Sequence, residues 1–342
     1  MGNSTSNDPR TYAKKVWVVV GITVLAVTIM VLLYALFNVL LMVLAGLLIA
    51  VYFRGFAQII GKYTHWPSWV TLLVSVLVSV VLLTALSVFI GAEVQNQISE
   101  LAETLPTGIK QIKEEINKSP VGQRLLKEAL SIKSQQKLGA VAGRFFSSTF
   151  GGIGDLYIII FLGLFLTVNP AVYKKGMLQL VPPGGRQKAL YVLEVMWLKL
   201  TKWLKGSLIA MLVVMVLTLT GLLIIGLPMA LALAIIAGLL NFIPNFGPLL
   251  AMVPAVLVGF MQGSNTALLV AGLYIFIQVV ESNFITPMVQ QKLVSIPPAL
   301  IIIGQLIMAS LTGFLGILLA TPVVLLLMVL TNELYVKPIN NE

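Results

Sequence analysis

One carboxylate is the strongest candidate for chemistry in this sequence. Glu281 ends a run of 75 residues that carries no charged side chain, and Gln278 lies about one helical turn before it on the same face. An ionisable side chain in so apolar a setting is costly, and it usually faces a cavity or a partner. We therefore expect Glu281, with Gln278 and Asn283, to contribute to a substrate-binding site. The alternative is a solvated glutamate that caps the end of its helix.

Breaks in the same apolar run supply a second set of polar groups. Residues 241–248 have the sequence Asn-Phe-Ile-Pro-Asn-Phe-Gly-Pro. Pro244 withholds a backbone N–H and breaks the helix, whereas Gly247 permits close approach or an unusual backbone conformation. We expect the freed carbonyl groups, with the amides of Asn241 and Asn245, to line a polar site. A plain turn between two helices is the alternative.

This break recurs further along the chain. Pro228 is followed 19 residues later by Gly247, and Pro297, 69 residues after Pro228, is followed at the same spacing by Gly316. Paired breaks in two repeats point to a transport site near the middle of a membrane. Tight packing of small residues between helices is the alternative for the second tip. The candidate binding residues of that tip are Gln305, Ser310, Thr312, Gly313 and Gly316.

The composition places these segments in a membrane. Of the 342 residues, 58% are apolar and only 10% are charged, against roughly 25% charged in a soluble domain. Uncharged runs at residues 16–53, 66–92 and 293–332 each exceed the ~20 residues that cross a bilayer as a helix. Backbone groups in hydrocarbon must be hydrogen-bonded internally, so these runs are predicted to be helical. The predicted fold class is an all-α, polytopic helical membrane protein.

The run lengths predict about six full spans and two broken hairpins, which together make eight or more membrane helices. The run at residues 16–53 is long enough for two spans with a turn near residues 34–38. The hairpins occupy residues 227–261 and 296–330, and the limbs of the first are short for a ~30 Å core. Each repeat unit consists of one span and one hairpin. It crosses the membrane once if the hairpin re-enters and three times if the hairpin spans fully, so the number is odd in both cases. The second unit is therefore predicted to be inverted relative to the first.

The sequence divides into four parts: transmembrane helices in residues 1–92, an amphipathic segment in 93–149, a fourth span with a cytoplasmic amphipathic stretch in 150–206, and an inverted-repeat transport core in 207–336. Lys and Arg residues cluster before the first span, after the second and after the fourth, so these sides are predicted to be cytoplasmic. Both termini of this multi-pass protein of the cell membrane are then cytoplasmic. The segment at 93–149 is expected outside, as a helical hairpin on the membrane or on a neighbouring subunit; a separate binding domain is the alternative.

Enzyme chemistry has no support in the sequence. A G-x-G-D pattern at residues 152–155 matches intramembrane aspartyl proteases, but that chemistry needs two carboxylates and Asp8 is the only other aspartate. His65 is the single histidine, and no Gly-rich Walker loop is present. We therefore expect no catalytic residue, cofactor or metal site. The net charge of +10 follows the membrane topology, so no nucleic-acid partner is expected.

Four motifs resemble the autoinducer-2 exporter family of bacterial membrane proteins. They are Trp-Leu-Lys-Gly at 203–206, Gly-Leu-Leu-Asn-Phe-Ile-Pro-Asn-Phe-Gly-Pro at 238–248, Glu-Ser-Asn-Phe-Ile-Thr-Pro at 281–287, and Gly-Phe-Leu-Gly-Ile-Leu-Leu-Ala-Thr-Pro at 313–322. The N-terminal half is similar to the family only in its layout. The resemblance implies a carrier-like mechanism and a homopentamer, and it allows for the cation/proton antiport of some family members.

Three functions remain open from the sequence. The leading hypothesis is a secondary transporter, embedded in the lipid bilayer, that exports a small polar solute such as autoinducer-2. A sodium/proton antiporter with Glu281 as the exchanging carboxylate is the first alternative. A non-transporting membrane scaffold, whose segment at residues 93–149 binds an envelope partner, is the second.

Overall fold

The structure is a computed structural model that describes residues 9–89, 91, 153–285 and 296–340. Regular structure in these ranges is helical throughout and includes no strand, which confirms the predicted all-α class. The amphipathic segment predicted at residues 93–149 lies outside the described residues.

Within each described range, short connections join neighbouring helices. A π-helical turn at Glu281–Ile285 extends the eighth helix, and another at Asn332–Val336 extends the tenth. The main helices are α1 Pro9–Thr64, α2 Ser68–Phe89, α3 Ile153–Val168, α4 Pro170–Gln179, α5 Arg186–Ile225, α6 Ala230–Leu240, α7 Phe246–Gln262, α8 Ser264–Val280, α9 Pro298–Thr312 and α10 Phe314–Thr331.

Five helices of the described residues are long and apolar enough to cross a membrane. The count becomes six when α3 and α4, whose axes differ by 90°, are taken as one broken span. Pro170 occupies the first turn of α4, where its missing N–H costs no helical hydrogen bond, so a new helix begins directly after Asn169. The fold is therefore that of a multi-pass helical membrane protein, as predicted.

The turn predicted near residues 34–38 is not formed. Helix α1 runs for 56 residues through this region without interruption. Its sequence has no proline or glycine between Gly21 and Gly46, so nothing local favours a break. An α-helix of this length extends about 84 Å, far more than the ~30 Å hydrocarbon core. The first apolar run is therefore one helix in the structure rather than a pair.

Helix α1 packs closely along α3. A Cβ added at Gly46 would lie 2.8 Å from the Cβ of Leu162, and one added at Gly163 would lie 2.6 Å from the side chain of Ile49. The two glycines therefore allow the backbones to approach. Near the end of α3, Arg54 donates from Nε and Nη2 to the Thr167 carbonyl oxygen, at 2.9 and 2.7 Å. A cation is favourable there because carbonyl groups at a helix C-terminus carry partial negative charge.

Helix α5 joins two apolar cores. Its first half contributes Leu200 and Leu204 to a core shared with α1, α3 and α10. Its second half contributes Leu222 to a core shared with α6, α7 and α8. The helix also continues through residues 206–207, where the sequence division placed a boundary. This rigid element therefore connects the N-terminal helices to the first hairpin.

The two hairpins have similarly tight tips. The first consists of α6 and α7, and the second of α9 and α10, close to the predicted limbs. A Cβ added at Gly247 would collide with the Leu240 carbonyl group, and one added at Gly316 would collide with the Met308 carbonyl group. Close approach, rather than a positive φ, is thus the reason for glycine at both positions. The inverted relation of the two repeats stays a prediction.

Candidate functional site

Glu281 is buried, although it carries a carboxylate. Its exposed fraction is 8%, and it begins the π-helical turn that ends α8. Such π-turns are rare and occur frequently at functional sites. Among the described residues Glu281 forms no ion pair, whereas Lys174 pairs with Glu194 and Lys337 pairs with Glu333. Its charge is therefore not neutralised by a neighbouring cation there.

Four polar side chains surround this carboxylate. The amides of Asn241 and Gln278 approach it, and Thr218 and Tyr274 line the same small cavity as Gln278 and Glu281. The approach of Asn241 is not a formed hydrogen bond, because neither of its amide atoms has a partner at hydrogen-bond geometry. We call these five residues the Glu281 cluster.

The sequence spacing explains how three helices build the cluster. Tyr274, Gln278 and Glu281 follow one another at steps of four and three, so they lie on one face of α8 and its π-turn. Asn241 is the residue that ends α6, just before the broken tip of the first hairpin. Thr218 lies on the face of α5 that is buried against these helices. The cluster therefore connects α5, the first hairpin and α8.

Most polar atoms of the cluster lack hydrogen-bond partners. These atoms are buried and unpartnered among the described residues: Thr218 Oγ1, Tyr274 OH, Gln278 Oε1, and both amide atoms of Asn241. Buried polar groups are normally hydrogen-bonded, and an unpaired one costs roughly 1–3 kcal/mol. A group of them beside an unpaired carboxylate is therefore unfavourable for stability alone, and it indicates a site kept for binding.

The space inside the cluster is small. The cavity has a volume of about 10 Å³. About 10–15 Å³ is needed to hold one water molecule, so this cavity accommodates a proton, a bare cation or a single water rather than an organic solute. The ligands that it offers are a carboxylate, amide oxygens and hydroxyl oxygens. Chemically, the Glu281 cluster is suited to bind a small cation or to accept a proton.

A hydrogen bond between the hairpins lies next to this cluster in the sequence. Gln305 of α9 is fully buried and donates from Nε2 to the Pro244 carbonyl oxygen at 2.7 Å. Pro244 lies at the tip of the first hairpin, three residues after Asn241. The same carbonyl accepts from the backbone nitrogen of Phe246 at 2.8 Å. A carbonyl freed by the helix break thus binds the second hairpin.

Phe242 of the first tip also lines a second, larger cavity. Its volume is about 920 Å³, and it is lined by residues of α1, α2, α3, α5 and the tip of the second hairpin. Phe242, the neighbour of Asn241, lines it and packs edge-on against Trp203 with ring centroids 5.6 Å apart. The polar residues of its wall are Asn38, Tyr52, Ser79, Asp155 and Thr312.

The structure separates the remaining predicted residues from the Glu281 cluster. Asn245 is exposed and adopts a positive φ of 67° at the start of α7. Asn283 is exposed and donates to the Val279 carbonyl oxygen of its own helix. Ser310 is likewise exposed and bonds within α9, and Gly313 makes the turn between α9 and α10 with a φ of 63°. Thr312 lines the larger cavity instead.

Two cluster residues were absent from the predicted set. Tyr274 is one helical turn before Gln278, so the same face of α8 that identified Gln278 also points to it. Thr218 is a polar residue inside an apolar span, but so is Thr220 two positions later, which bonds its own helix and is exposed. Only the packing of α5 against α6 and α8 distinguishes the two threonines.

The described residues contain no group of three or more His, Cys, Asp or Glu side chains that could hold a metal ion. The Glu281 cluster contains one such side chain and four neutral ones. Any cation held there would therefore be coordinated mainly by neutral oxygen atoms, as suits a monovalent ion better than a transition metal.

Comparison with known proteins identifies the family. A sequence profile of the AI-2E family transporter matches residues 22–335. The chain is 27% identical over 299 residues to YueF of Bacillus subtilis (strain 168), which covers 82% of this chain and 80% of YueF. It is 31% identical over 173 residues to YrrI of the same organism, which covers 50% of this chain and 49% of YrrI. It is 26% identical over 155 residues to YhhT of Escherichia coli (strain K12), which covers 45% of this chain and 40% of YhhT.

All three relatives are provisionally designated transport proteins. The family profile spans the helices that form the first hairpin, the Glu281 cluster and the second hairpin. Since the match extends over nearly the whole sequence, this chain belongs to the AI-2E family of transporters.

Proposed function

We propose that this chain is a secondary transporter that exports a small polar solute, such as autoinducer-2 or a relative, across the cell membrane. Its family and its multi-pass helical fold support a transport role. The observation that carries the proposal is a buried carboxylate, Glu281, that faces the tip of a broken hairpin without an ion pair among the described residues. Autoinducer-2 as solute, and a homopentamer as assembly, rest on the family resemblance.

The larger cavity has the size of a solute site. Its volume of about 920 Å³ lies within the ~300–1,000 Å³ of small-molecule pockets. Asn38, Ser79 and Thr312 offer amide and hydroxyl groups to a hydroxylated solute, while the rest of the wall is largely apolar. A small polar molecule would be held there by a few hydrogen bonds.

The first tip would couple this cavity to the Glu281 cluster. Asn241 approaches Glu281, whereas Phe242, the next residue, lines the larger cavity. A carboxylate buried in an apolar environment is unfavourable while charged, so gain or loss of a cation changes the arrangement that Asn241 prefers. A shift of Asn241 moves Phe242 with it. Occupancy of the cluster would thereby change the shape of the solute cavity, which is the requirement for coupled transport.

A sodium/proton antiporter is the second candidate. The small cavity of the Glu281 cluster favours it, because about 10 Å³ admits an ion but no organic solute. In that mechanism Glu281 binds a proton and a sodium ion in turn, and the ions are the whole cargo. The larger cavity would then serve as an access path rather than as a solute site.

Purified full-length protein in proteoliposomes distinguishes the candidates. Efflux of labelled autoinducer-2 is measured under an imposed proton or sodium gradient, and the internal pH is followed with a fluorescent dye. We expect gradient-dependent solute flux. Sodium-driven pH change without solute flux would support the antiporter, and absence of both would contradict transport and favour the scaffold hypothesis. Empty liposomes provide the background.

A further inference from the structure

Helix α4 turns away from the span that precedes it. Helix α3 packs along the part of α1, Leu36–Thr64, that is long and apolar enough to cross a membrane, so α3 is also directed across the bilayer. The axis of α4 differs from that of α3 by 90°, and Asn169 alone separates the two helices. A helix at right angles to a span lies along the membrane plane. Helix α4 is therefore parallel to the bilayer surface.

The sequence of α4 excludes it from the hydrocarbon core. Its ten residues include two lysines and one glutamine, and a lysine at the centre of a membrane helix is strongly unfavourable. Two consecutive prolines, Pro182 and Pro183, separate α4 from α5, so α4 is not the first part of another span. Helix α4 therefore lies at a membrane surface, and the positive-inside pattern predicts that this surface is cytoplasmic.

One side of α4 is apolar. Successive residues of an α-helix are about 100° apart, so positions 172, 173, 176, 177 and 180 share an arc of about 140°. Lys174, Lys175 and Gln179 fall outside this arc, and Leu180 keeps a helical conformation directly after the last turn. The residues of the arc are all exposed in the described structure: Val172, Tyr173, Gly176, Met177 and Leu180. We call these five residues the α4 apolar face.

We infer that the α4 apolar face is inserted among the acyl chains of the cytoplasmic leaflet. Amphipathic helices with lysines on the polar side bind bilayers in this way, with the apolar side ~5–10 Å into the boundary between headgroups and acyl chains. Tyr173 suits this depth because its ring is apolar and its hydroxyl reaches the headgroups. Lys174 contacts Glu194 of α5 at 2.9 Å from outside the arc, so this contact leaves the apolar face uncovered.

The geometry favours the bilayer, rather than a second copy of the chain, as the occupant of this face. A helix that lies along the membrane surface has lipid on one side without any further partner. The ten residues of α4 extend only about 15 Å, and a stable protein interface buries roughly 800 Å² on each partner, which so short a face cannot supply. Trp203 of α5 is only 4% exposed and packs against Phe242, so it is not available as an anchor in place of α4.

Single cysteines that carry a nitroxide spin label test this inference in the full-length protein, reconstituted in vesicles of phosphatidylglycerol and phosphatidylcholine. Tyr173→Cys and Met177→Cys report on the apolar face, and Lys175→Cys and Gln179→Cys are the matched controls, because all four positions are exposed. Collisions with lipid-soluble oxygen and with a water-soluble nickel complex are measured by electron paramagnetic resonance. We expect the first pair to favour oxygen, at a depth ~5–10 Å greater than that of the second pair.

A charged substitution on the face tests whether its apolar character holds α4 at the bilayer. Met177→Asp should expose the label at Tyr173→Cys to water, whereas Gln179→Asp should leave that label at its depth. Neither side chain is buried, and circular dichroism checks that helix content is unchanged. Equal accessibility of the four labelled positions would overturn the inference. So would exclusion of both reagents from Tyr173→Cys and Met177→Cys, as expected for a face covered by protein, or an unchanged depth in Met177→Asp.

Discussion

Gln305 and Pro244 connect the two broken hairpins by one hydrogen bond, 2.7 Å long, across 61 residues of chain. The donor is fully buried in α9 and the acceptor is a carbonyl at the first tip. Pro244 and Asn241 belong to the same tip, and Asn241 approaches Glu281. We therefore expect movement of either hairpin to change the surroundings of the carboxylate through this contact.

Gln305→Met should impair transport more than stability. Methionine keeps the volume of the side chain but removes the bond to Pro244, and it also removes the amide oxygen of Gln305, which has no partner. Loss of the hydrogen bond lowers stability, whereas loss of the buried, unpartnered oxygen raises it, so the two effects oppose each other. We expect transport to fall about tenfold, which corresponds to ~1.4 kcal/mol, with little change in melting temperature. Ser310→Ala on the same helix is the control, since Ser310 bonds only within α9 in the described structure.

The substitutions Glu281→Gln and Glu281→Leu distinguish a carboxylate that exchanges protons from one that only positions the hairpins. Glutamine keeps the shape and hydrogen-bonding capacity of the side chain but cannot ionise, so pH-dependent transport should disappear while the protein stays folded. Leucine should abolish transport in either case. Flux and its pH profile are measured in proteoliposomes, with Glu194→Gln as a control at an exposed, ion-paired glutamate. Wild-type pH dependence in both Glu281 variants would remove Glu281 from the mechanism.

Tyr274→Phe and Thr218→Val should have opposite effects on function and stability. Each removes a buried hydroxyl without a partner, so thermal stability should stay constant or rise by up to ~1 kcal/mol. If these oxygens hold the coupling ion, the gradient needed for half-maximal transport should increase. Thr220→Val is the matched control, because Thr220 is exposed and bonds its own helix. Lower stability with unchanged transport would assign the hydroxyl groups to packing alone.

Helical spacing accounts for the parts of the site that the sequence could predict. Gln278 and Glu281 are three residues apart and meet, as predicted. Asn283 is only two residues beyond Glu281, so a helical turn directs it to the other side, where it is exposed. The contact of Asn241 with this face, and of Pro244 with Gln305, depends on how the hairpins pack. No local pattern encodes such long-range contacts, and the spacing of Pro and Gly gives only the positions of the tips.

Gly247→Ala and Gly316→Ala should both destabilise the protein. The two glycines are 69 residues apart, and at each a methyl group would collide with a carbonyl of the preceding limb. Overpacking of this kind typically costs 1–3 kcal/mol, so the melting temperature should fall in both variants. Gly272→Ala is the control, because a Cβ there meets nothing within 4 Å. A fall in only one variant would show that the two tips differ in tightness.

Cysteine labelling tests the predicted topology without background, because the native chain has no cysteine. Ser131→Cys, in the segment predicted to be outside, should react with a membrane-impermeant maleimide in intact cells. Ser68→Cys, at the exposed start of α2, should react only after the cells are permeabilised. The basic residues at the start of α1 give the same expectation for Ser4→Cys. The reverse pattern at Ser131 and Ser68 would invert the whole topology.

Ser4 is the most informative of these positions because α1 is unbroken. Both ends of α1 are cytoplasmic only if the helix bends within the membrane, whereas a single straight crossing places Ser4 and Ser68 on opposite sides. We expect Ser4→Cys to be silent in intact cells, since Arg10, Lys14 and Lys15 follow it in the sequence and favour the cytoplasm. Labelling of Ser4→Cys together with a silent Ser68→Cys would show one crossing by the 56-residue helix and an external N-terminus.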